Sequence, residues 1–430
     1  MAPKWTVIVY MVADTGDGFY QAAVDDITAM TKADFDEGEV QVVVHADAPS
    51  PWTSRCWEVK KGTASLLDRC HTCLLEFVDH CVRQYRAENY LIVLWGHGEG
   101  IDWKQKVLGD NPLGAEIEGA GKRLFTGSES VLEVAELGKT LKEVHKKIAD
   151  LEVNINNKIV LGFDACLMAM VEVYFEIHRY VNWAVAANDE IPDAGWPYKD
   201  ILTKLGKDPG IKPEDLAKAI VDKSTEWYSD PNNQSAVSFS ACNLNQKEST
   251  DLEESVRNLS QEFQELLGGD QAVGPLKPSS EKATKAIKEA RDFAEDLKES
   301  AYVDLNAFCS KLREVSGDHP ELRKLGEKAN EVVTALKKFA YKWDFSAYYP
   351  QEYITDSRAV AICFPESPNL EGSLPHQEID LRSYESLDFI QKTKWSSFWN
   401  TYWRNLSQIE KASRETNPAF RASREVGYLT

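Results

Sequence analysis

The chain has 430 residues, 43% of them hydrophobic and 27% charged, and a formal net charge of −20. This is the composition of a soluble globular protein with one large core or two to three domains. The acidic excess disfavours nucleic acid and anionic membrane as partners and favours basic ligands. The opening MAPKWTVIVYMVAD has an apolar stretch without a cationic segment before it or a small-residue cleavage site after it. It reads as a first strand, Trp5 to Ala13, rather than an export signal. A cytoplasmic protein is therefore expected, with its eight cysteines as thiols.

Gly16 and Gly18 break the first strand, and a helix is predicted over Phe19–Met30. Val40–His45 is a continuous apolar run, as a buried parallel strand should be. Ser50–Gly62 reads as an excursion with a short strand near Trp57, followed by a helix from Leu66 to Tyr85. The strand LIVLWGHG then delivers His97 between Gly96 and Gly98. Residues 99–130 are glycine-rich and aperiodic, a long exposed connection of the kind that is often functional or cleavable. An amphipathic helix over Val131–Ile148 leads to a second apolar run, IVLGFDAC, which ends in Asp164 and Cys166. A helix follows from Leu167 to Tyr180, then a strand from Trp183 to Ala187 that opens into NDEIPDAGWPY. Pro213 starts another helix at a first-turn position, and Ala236–Ala241 is a further strand. Gln246–Trp343 reads as helical almost throughout. Val360–Phe364 is a late strand able to return to the main sheet, helices close the fold near 382–391 and 395–409, and a loose tail begins near Ser413. Alternating strands and helices argue a doubly wound parallel sheet.

Two adjacent parallel strands bring His97 and Cys166 to the carboxyl edge of that sheet, where α/β proteins bind ligands. A thiol attacks a carbonyl as thiolate, and an imidazole supplies or stabilises that state. The backbone N–H groups of Gly98 and Cys166 are candidate donors to the developing oxyanion, and glycine at 98 lets a carbonyl approach closely. Asp164, two residues before Cys166, lies on the same strand face and suits a cation, arginine above all. Singly, Cys166 reads as packing and His97 as a hydrogen-bonded loop residue; together they read as nucleophile and base.

The segments WTVIVYMVADTGD, YLIVLWGHGEGID, IVLGFDACLMAMVEVYFEI and DEIPDAGWPY, with the later SAVSFSACNLNQ, AYVDLNAFCSKL and AVAICFP, resemble the clostripain family of cysteine peptidases in the caspase-like clan. The closing SYESLDFIQKTKWSSFWNTYW fits as well, so the likeness spans about residues 5–403. It implies an α/β, caspase-like fold: a mostly parallel sheet flanked by helices, with an added helical subdomain. The expected layout is a catalytic core over 1–245, a helical subdomain over 246–343, and a late strand with closing helices over 344–430. It implies a cysteine endopeptidase with His97 as base and Cys166 as nucleophile, cutting after arginine or lysine. Asp164 then lines the pocket for the basic side chain, with Asp193, or Asp189 behind it, as a second acid. The expected partners are peptide or protein substrates and a protein regulator, with no nucleic acid or membrane. The resemblance implies calcium dependence, with no organic cofactor, and self-cleavage between the His and Cys strands. Lys122 and Arg123 are the candidate sites for that cut, and Lys104 and Lys106 lie in the same connection. The late strand carries Ala361 and Cys363 where the family usually has serine and tyrosine. An alternative is a catalytically silent caspase-like protein that binds a partner through its helical region.

Two further clusters invite chemistry. Cys70, Cys73, His80 and Cys81 imitate a metal set, but Cys70, Cys73, Phe77 and Cys81 also share one helical face, and core packing is the favoured reading. Asp14, Asp17, Asp25 and Asp26 are read as capping and turn residues rather than cation ligands.

Overall fold

The structure, a computed structural model, describes residues 2–14, 17–48, 53–71, 73–98, 100–102, 104–107, 130–149, 158–268, 275–294, 301–366 and 381–416. The chain divides into two compact units, Met1–Thr250 with Lys337–Ile362, and Asp251–Leu336 with Cys363–Thr430.

In the first unit, β1 (Trp5–Met11) is buried at every position. Its run of β-branched and aromatic residues suits a strand covered on both faces, each such side chain contributing about 1.5–3 kcal/mol by burial. Helix α1 (Asp17–Thr31) leads to β2 (Val40–Ala46), which pairs parallel with β1. β3 (Arg55–Lys60) and β4 (Thr63–Leu66) add antiparallel strands beyond β2. The helix expected from Leu66 is shorter: α2 spans Leu74–Gln84, because residues 63–66 are committed to β4. β5 (Asn89–Trp95) pairs parallel with β1 on its other side. Beyond it, β6 (Lys104–Val107) pairs antiparallel with β7 (Ser130–Glu133), so the connection is partly ordered as strand. That strand also takes the first residues of the expected helix, and α3 runs Val134–Ala149.

β8 (Ile159–Asp164) pairs parallel with β5, and β9 (Trp183–Ala186) with β8. Between them α4 spans only Val171–Ile177, since residues 165–170 form the turn that carries Cys166. After α5 (Tyr198–Lys207) and α6 (Pro213–Ser229), β10 (Ser238–Asn243) runs antiparallel to β9. The chain next runs through α7 (Gln246–Leu267), α8 (Pro278–Ala294), β11 (Tyr302–Asp304), α9 (Leu305–Gly317) and α10 (Arg323–Phe339). It does not stay helical to Trp343: Ala340–Phe345 is a strand, β12, antiparallel to β10. The main sheet therefore has nine strands in the order β12-β10-β9-β8-β5-β1-β2-β3-β4, parallel at its centre and antiparallel at both flanks. α1, α5 and α6 bury Ile27, Met30, Ile201, Leu205, Leu216 and Ile220 against one face. α2 packs on β1 and α3, and α3 on α4.

After the short α11 (Gln351–Ile354), the late strand β13 (Ala361–Cys363) lies outside the nine-stranded sheet, contrary to expectation. Ala361 instead bridges Met170 in parallel, and its N–H donates to the Ala169 carbonyl. In the second unit, α12 (Leu381–Ser386), α13 (Asp388–Thr393) and α14 (Trp399–Thr416) close the chain, so helix continues past Ser413. Phe263, Phe308, Phe364, Trp395 and Phe398 form an aromatic core there.

Not all eight cysteines are thiols. Cys56 and Cys70 form a disulfide, with Cα atoms 5.1 Å apart, while the other six are free. Cys70 also leaves the expected helical stripe: α2 begins after Cys73, and of the four stripe residues Cys73, Phe77 and Cys81 are buried. Among the described residues no helix is long and apolar enough to cross a membrane.

Candidate active site

The register of the parallel strands sets the site. Trp95 of β5 lies beside Met11 of β1 and Asp164 of β8, so His97 and Cys166 each follow two residues after a matched pair. The Gly96 N–H donates to the Asp164 carbonyl at 3.2 Å and carries the pairing one step further. His97 and Cys166 thus leave the sheet at the same edge, from neighbouring strands.

Gly98 fixes how near the two turns come. A Cβ at 98 would lie 2.0 Å from the Cys166 carbonyl oxygen and 2.9 Å from the Cys166 nitrogen. No side chain fits there, so two backbone segments bearing N–H groups abut beside the thiol. Leu167 has φ +59, a left-handed conformation costly for a branched side chain, and it bends the chain sharply after Cys166. The Leu167 N–H donates to the Asp189 carbonyl, and that of Ala169 to the Ala187 carbonyl, which ties the turn to the end of β9.

His97 is exposed, and its ring stacks on Phe19 of α1 with centroids 4.2 Å apart and planes 3° from parallel. Cys166 is half-buried, and its sulfur accepts the Ile191 N–H at 3.3 Å. Burial pushes the Cys166 thiol pKa up. The Ile191 bond opposes that shift, and the nearby carboxylates Glu190, Asp164 and Asp189 add to it.

Asp164 sits deep in the same edge, 3% exposed. Its Oδ2 accepts the Trp196 N–H at 3.1 Å and the Tyr198 hydroxyl at 2.8 Å, while Oδ1 has no hydrogen-bond partner among the described residues. Gly195, at φ +55, allows this approach: a Cβ there would be 2.8 Å from Oδ2. The Tyr228 hydroxyl donates to the Gly195 carbonyl and holds the loop. Burial raises the Asp164 pKa, and its two hydrogen bonds oppose the rise. Asp189 is buried and accepts the Tyr349 hydroxyl at 3.1 Å, whereas Asp193 lies on an exposed turn. Lys122 and Arg123 lie outside the described residues.

One member of this site was read otherwise in the sequence. Asp26 is not a turn residue but a buried carboxyl that accepts the Trp95 indole N–H at 2.9 Å. Burial, then the charge of Asp164, pushes its pKa up to about 9. The signal was present: Asp26 lies three residues after Ala23 and four before Met30, on the apolar face of α1. Tyr198 and Trp196, which hold Asp164, belong to the DAGWPY segment but were not singled out.

The cavity of about 540 Å³ in the second unit, lined among others by Lys288, Asp292, Glu366, Asn400, Trp403 and Glu410, has no thiol or imidazole. Calcium requires oxygen donors. Among the described residues the only cluster of three ligand-type groups is His45, Cys56 and Cys70, whose nitrogen and sulfur donors do not fit it.

Residues 9–403 match the sequence model of the clostripain family. The chain belongs to the clostripain family. It is a cysteine peptidase, and its sheet is that of the family's caspase-like proteases. Among solved structures it is similar to an inactive zymogen protease from Parabacteroides distasonis, with TM-score 0.54, 16% identity, and coverage of 91% of this chain and 98% of that one. It is also similar to a secreted cysteine protease from Bacteroides thetaiotaomicron in complex with an irreversible peptide inhibitor, with TM-score 0.56, 16% identity, and coverage of 91% and 99%. At such identities the likeness is one of fold. No curated protein matches the chain.

Proposed function

We propose that this clostripain-family peptidase is an endopeptidase that cuts after arginine or lysine, with Cys166 as nucleophile and His97 as base. The Asp164 carboxylate carries the specificity reading: it is buried next to the thiol turn, with Oδ2 doubly bonded and Oδ1 unpartnered. A buried carboxylate with a spare oxygen costs free energy until a cation meets it, and a guanidinium does so best. Asp189 adds negative charge nearby, and the exposed Asp193 meets substrate at the mouth.

His97 takes the Cys166 proton, and the thiolate adds to the carbonyl carbon after the basic residue. The negative oxygen is received by the Gly98 and Cys166 N–H groups, whose backbones abut. Collapse expels the amine, which takes the proton from His97, and leaves an acyl-thioester. Water, deprotonated by His97, then releases the acid and restores the thiol. The guanidinium also offsets the acidic surroundings that hold the thiol protonated, so the right substrate helps to ionise its own nucleophile.

Peptides with arginine or its neutral isostere citrulline before the scissile bond test this reading. Arginine should be favoured in both kcat and KM, and an arginyl ketone should label Cys166. Equal turnover of the two peptides contradicts the specificity reading.

Self-processing between β6 and β7 belongs to the same proposal. Lys122 and Arg123 supply the residue types the pocket accepts, and a tethered site has a high local concentration. Mass spectrometry of the wild-type and Cys166→Ala chains, with calcium and with chelator, tests it. Fragments ending at a basic residue of this loop, in wild type only, are expected. An uncut wild-type chain that still hydrolyses a basic peptide rules it out.

A further inference from the structure

A second sulfur site lies around β2, three strands along the sheet from β8, which carries Cys166. His45 and Cys56 are directly opposed across the β2–β3 ladder, and the turn before α2 brings Cys70 to them. His45 Nδ1 is 3.4 Å from the Cys56 sulfur and 3.3 Å from the Cys70 sulfur. On the other side of the ring, Nε2 is 2.9 Å from Asp47 Oδ1, which also accepts the Ser54 hydroxyl at 2.8 Å. His45 and Asp47 are fully buried, and Cys56 nearly so. The His45 ring stacks on Tyr10, centroids 4.5 Å apart, with Phe77 tilted against it at 5.5 Å.

A carboxylate accepts hydrogen bonds, so Asp47 keeps the His45 hydrogen on Nε2 and leaves the Nδ1 lone pair aimed at the sulfurs. A disulfide has no hydrogen to offer that lone pair. This is the outer-shell arrangement in which a carboxylate orients a metal-bound imidazole. The distances agree as well. Tetrahedral zinc with bonds of about 2.0 Å to nitrogen and 2.3 Å to sulfur holds N and S roughly 3.5 Å apart, and two sulfurs roughly 3.8 Å apart. The two N···S separations already stand near that value. Only the sulfurs must part, from a bond of about 2 Å. The stacked rings and the ladder hold His45 and Cys56 meanwhile, and Cys70, in a turn and half-exposed, is the ligand free to move.

We propose that Cys56, Cys70 and His45 form a redox-gated site for a thiophilic divalent cation of the zinc class, open only when the disulfide is reduced. A dithiol reductant gives two electrons and two protons to the Cys56–Cys70 bond and becomes a disulfide itself. The cation then displaces the two thiol protons and binds two thiolates and Nδ1, with water in the fourth position. Exchange with a small-molecule disulfide reverses the sequence: the cation leaves, two electrons and two protons from solvent convert that disulfide to two thiols, and the Cys56–Cys70 bond re-forms. Disulfide and metal are mutually exclusive occupants. The site is independent of the catalytic proposal.

The test uses the full chain carrying Cys166→Ala, so that the other accessible thiol cannot bind metal. It is reduced, freed of reductant without air, and titrated with cobalt(II), whose sulfur-to-metal absorption reports thiolate ligation. One equivalent should bind with that absorption, and zinc should displace it. The oxidised chain should show none, Cys70→Ser should lose the band, and His45→Gln should weaken binding at least tenfold. Because His45→Gln alters a buried ring, a second reading uses no further substitution. Zinc should slow alkylation of half-exposed Cys70 in the reduced chain at least tenfold, as read by mass spectrometry. No cobalt–sulfur absorption, its persistence in Cys70→Ser, or equal alkylation of Cys70 with and without zinc overturns the proposal.

Discussion

Asp26→Asn tests the buried carboxyl pair most directly. Asp26 is 7% exposed beside Asp164, and its pKa is raised from an ordinary 3.8 to about 9. A carboxyl whose folded pKa lies above its unfolded value binds its proton more tightly in the native state. Its contribution to stability is therefore greatest below the unfolded value and is lost as pH rises from 3.8 towards 9. Across that window the native chain holds one proton that the unfolded chain has released, a slope of about 1.4 kcal/mol per pH unit. Asparagine has the shape of the protonated acid, keeps an acceptor for the Trp95 indole, and does not titrate. Relative to wild type, Asp26→Asn should gain up to about 4 kcal/mol between pH 5 and pH 8. Both chains would carry Cys166→Ala to prevent self-cleavage. Urea unfolding would be followed by hydrogen exchange in peptides from β1 and β5, so that the first unit is read by itself. In the active background the variant should leave the acid limb of arginyl-peptide hydrolysis in place, because Asp26 is already uncharged over the range in which Asp164 ionises. Parallel stability curves for the two chains between pH 5 and pH 8 would refute the buried-pair argument.

Cys166→Ala should abolish peptide hydrolysis and leave the circular dichroism spectrum unchanged, and His97→Ala should cost nearly as much, since a catalytic pair fails as a unit. Gly98→Ala should cost about 1–3 kcal/mol of stability, seen as a lower urea midpoint, because its Cβ would strike the Cys166 peptide; hydrolysis should fall with it. Tyr198→Phe removes a hydroxyl bonded to the Asp164 carboxylate, worth about 1.5–3 kcal/mol. It should raise KM for arginyl peptides most at low pH and recover at high pH, and a uniform loss at every pH would count against Tyr198 as the residue that keeps Asp164 ionised.

The parallel centre of the sheet was legible because its strands are continuous apolar runs that end abruptly. LIVLW and IVLGF leave little doubt of period, and the reactive residues follow at once. The flanks were less legible. AYKWDF follows α10 without a glycine or proline, so nothing local marks the change from helix to strand; pairing with β10 decides it. Conversely, AVAICFP has the look of a main-sheet strand, yet it lies outside the nine-stranded sheet and bridges Met170. At the site, His97, Cys166 and Asp164 stood out by chemistry. Asp26 did not, because an acid beside Asp25 on a helix is ordinarily solvated; its burial depends on the Trp95 indole reaching it from β5. Cys70 lies outside a helical periodicity that holds only from Cys73 onward, and its partner Cys56 is fourteen residues upstream, in a strand.

The two sulfur sites lie on either side of β1, at the ends of strands in register, and each has an imidazole. What separates their chemistry is access. Cys166 follows its strand, half-buried, in a turn packed against Gly98, where burial and then the nearby acids push the thiol pKa up. Cys56 lies within its strand, buried and bonded to Cys70. Its imidazole is held by Asp47 with the lone pair towards sulfur, whereas the His97 ring is exposed on Phe19. A base that must take and return a proton each turnover needs contact with water and substrate. An imidazole that only ligates is better fixed and dry. The same residue types on either side of β1 are thereby suited to the two proposed roles, nucleophile and ligand set, by burial and by what lies behind each ring.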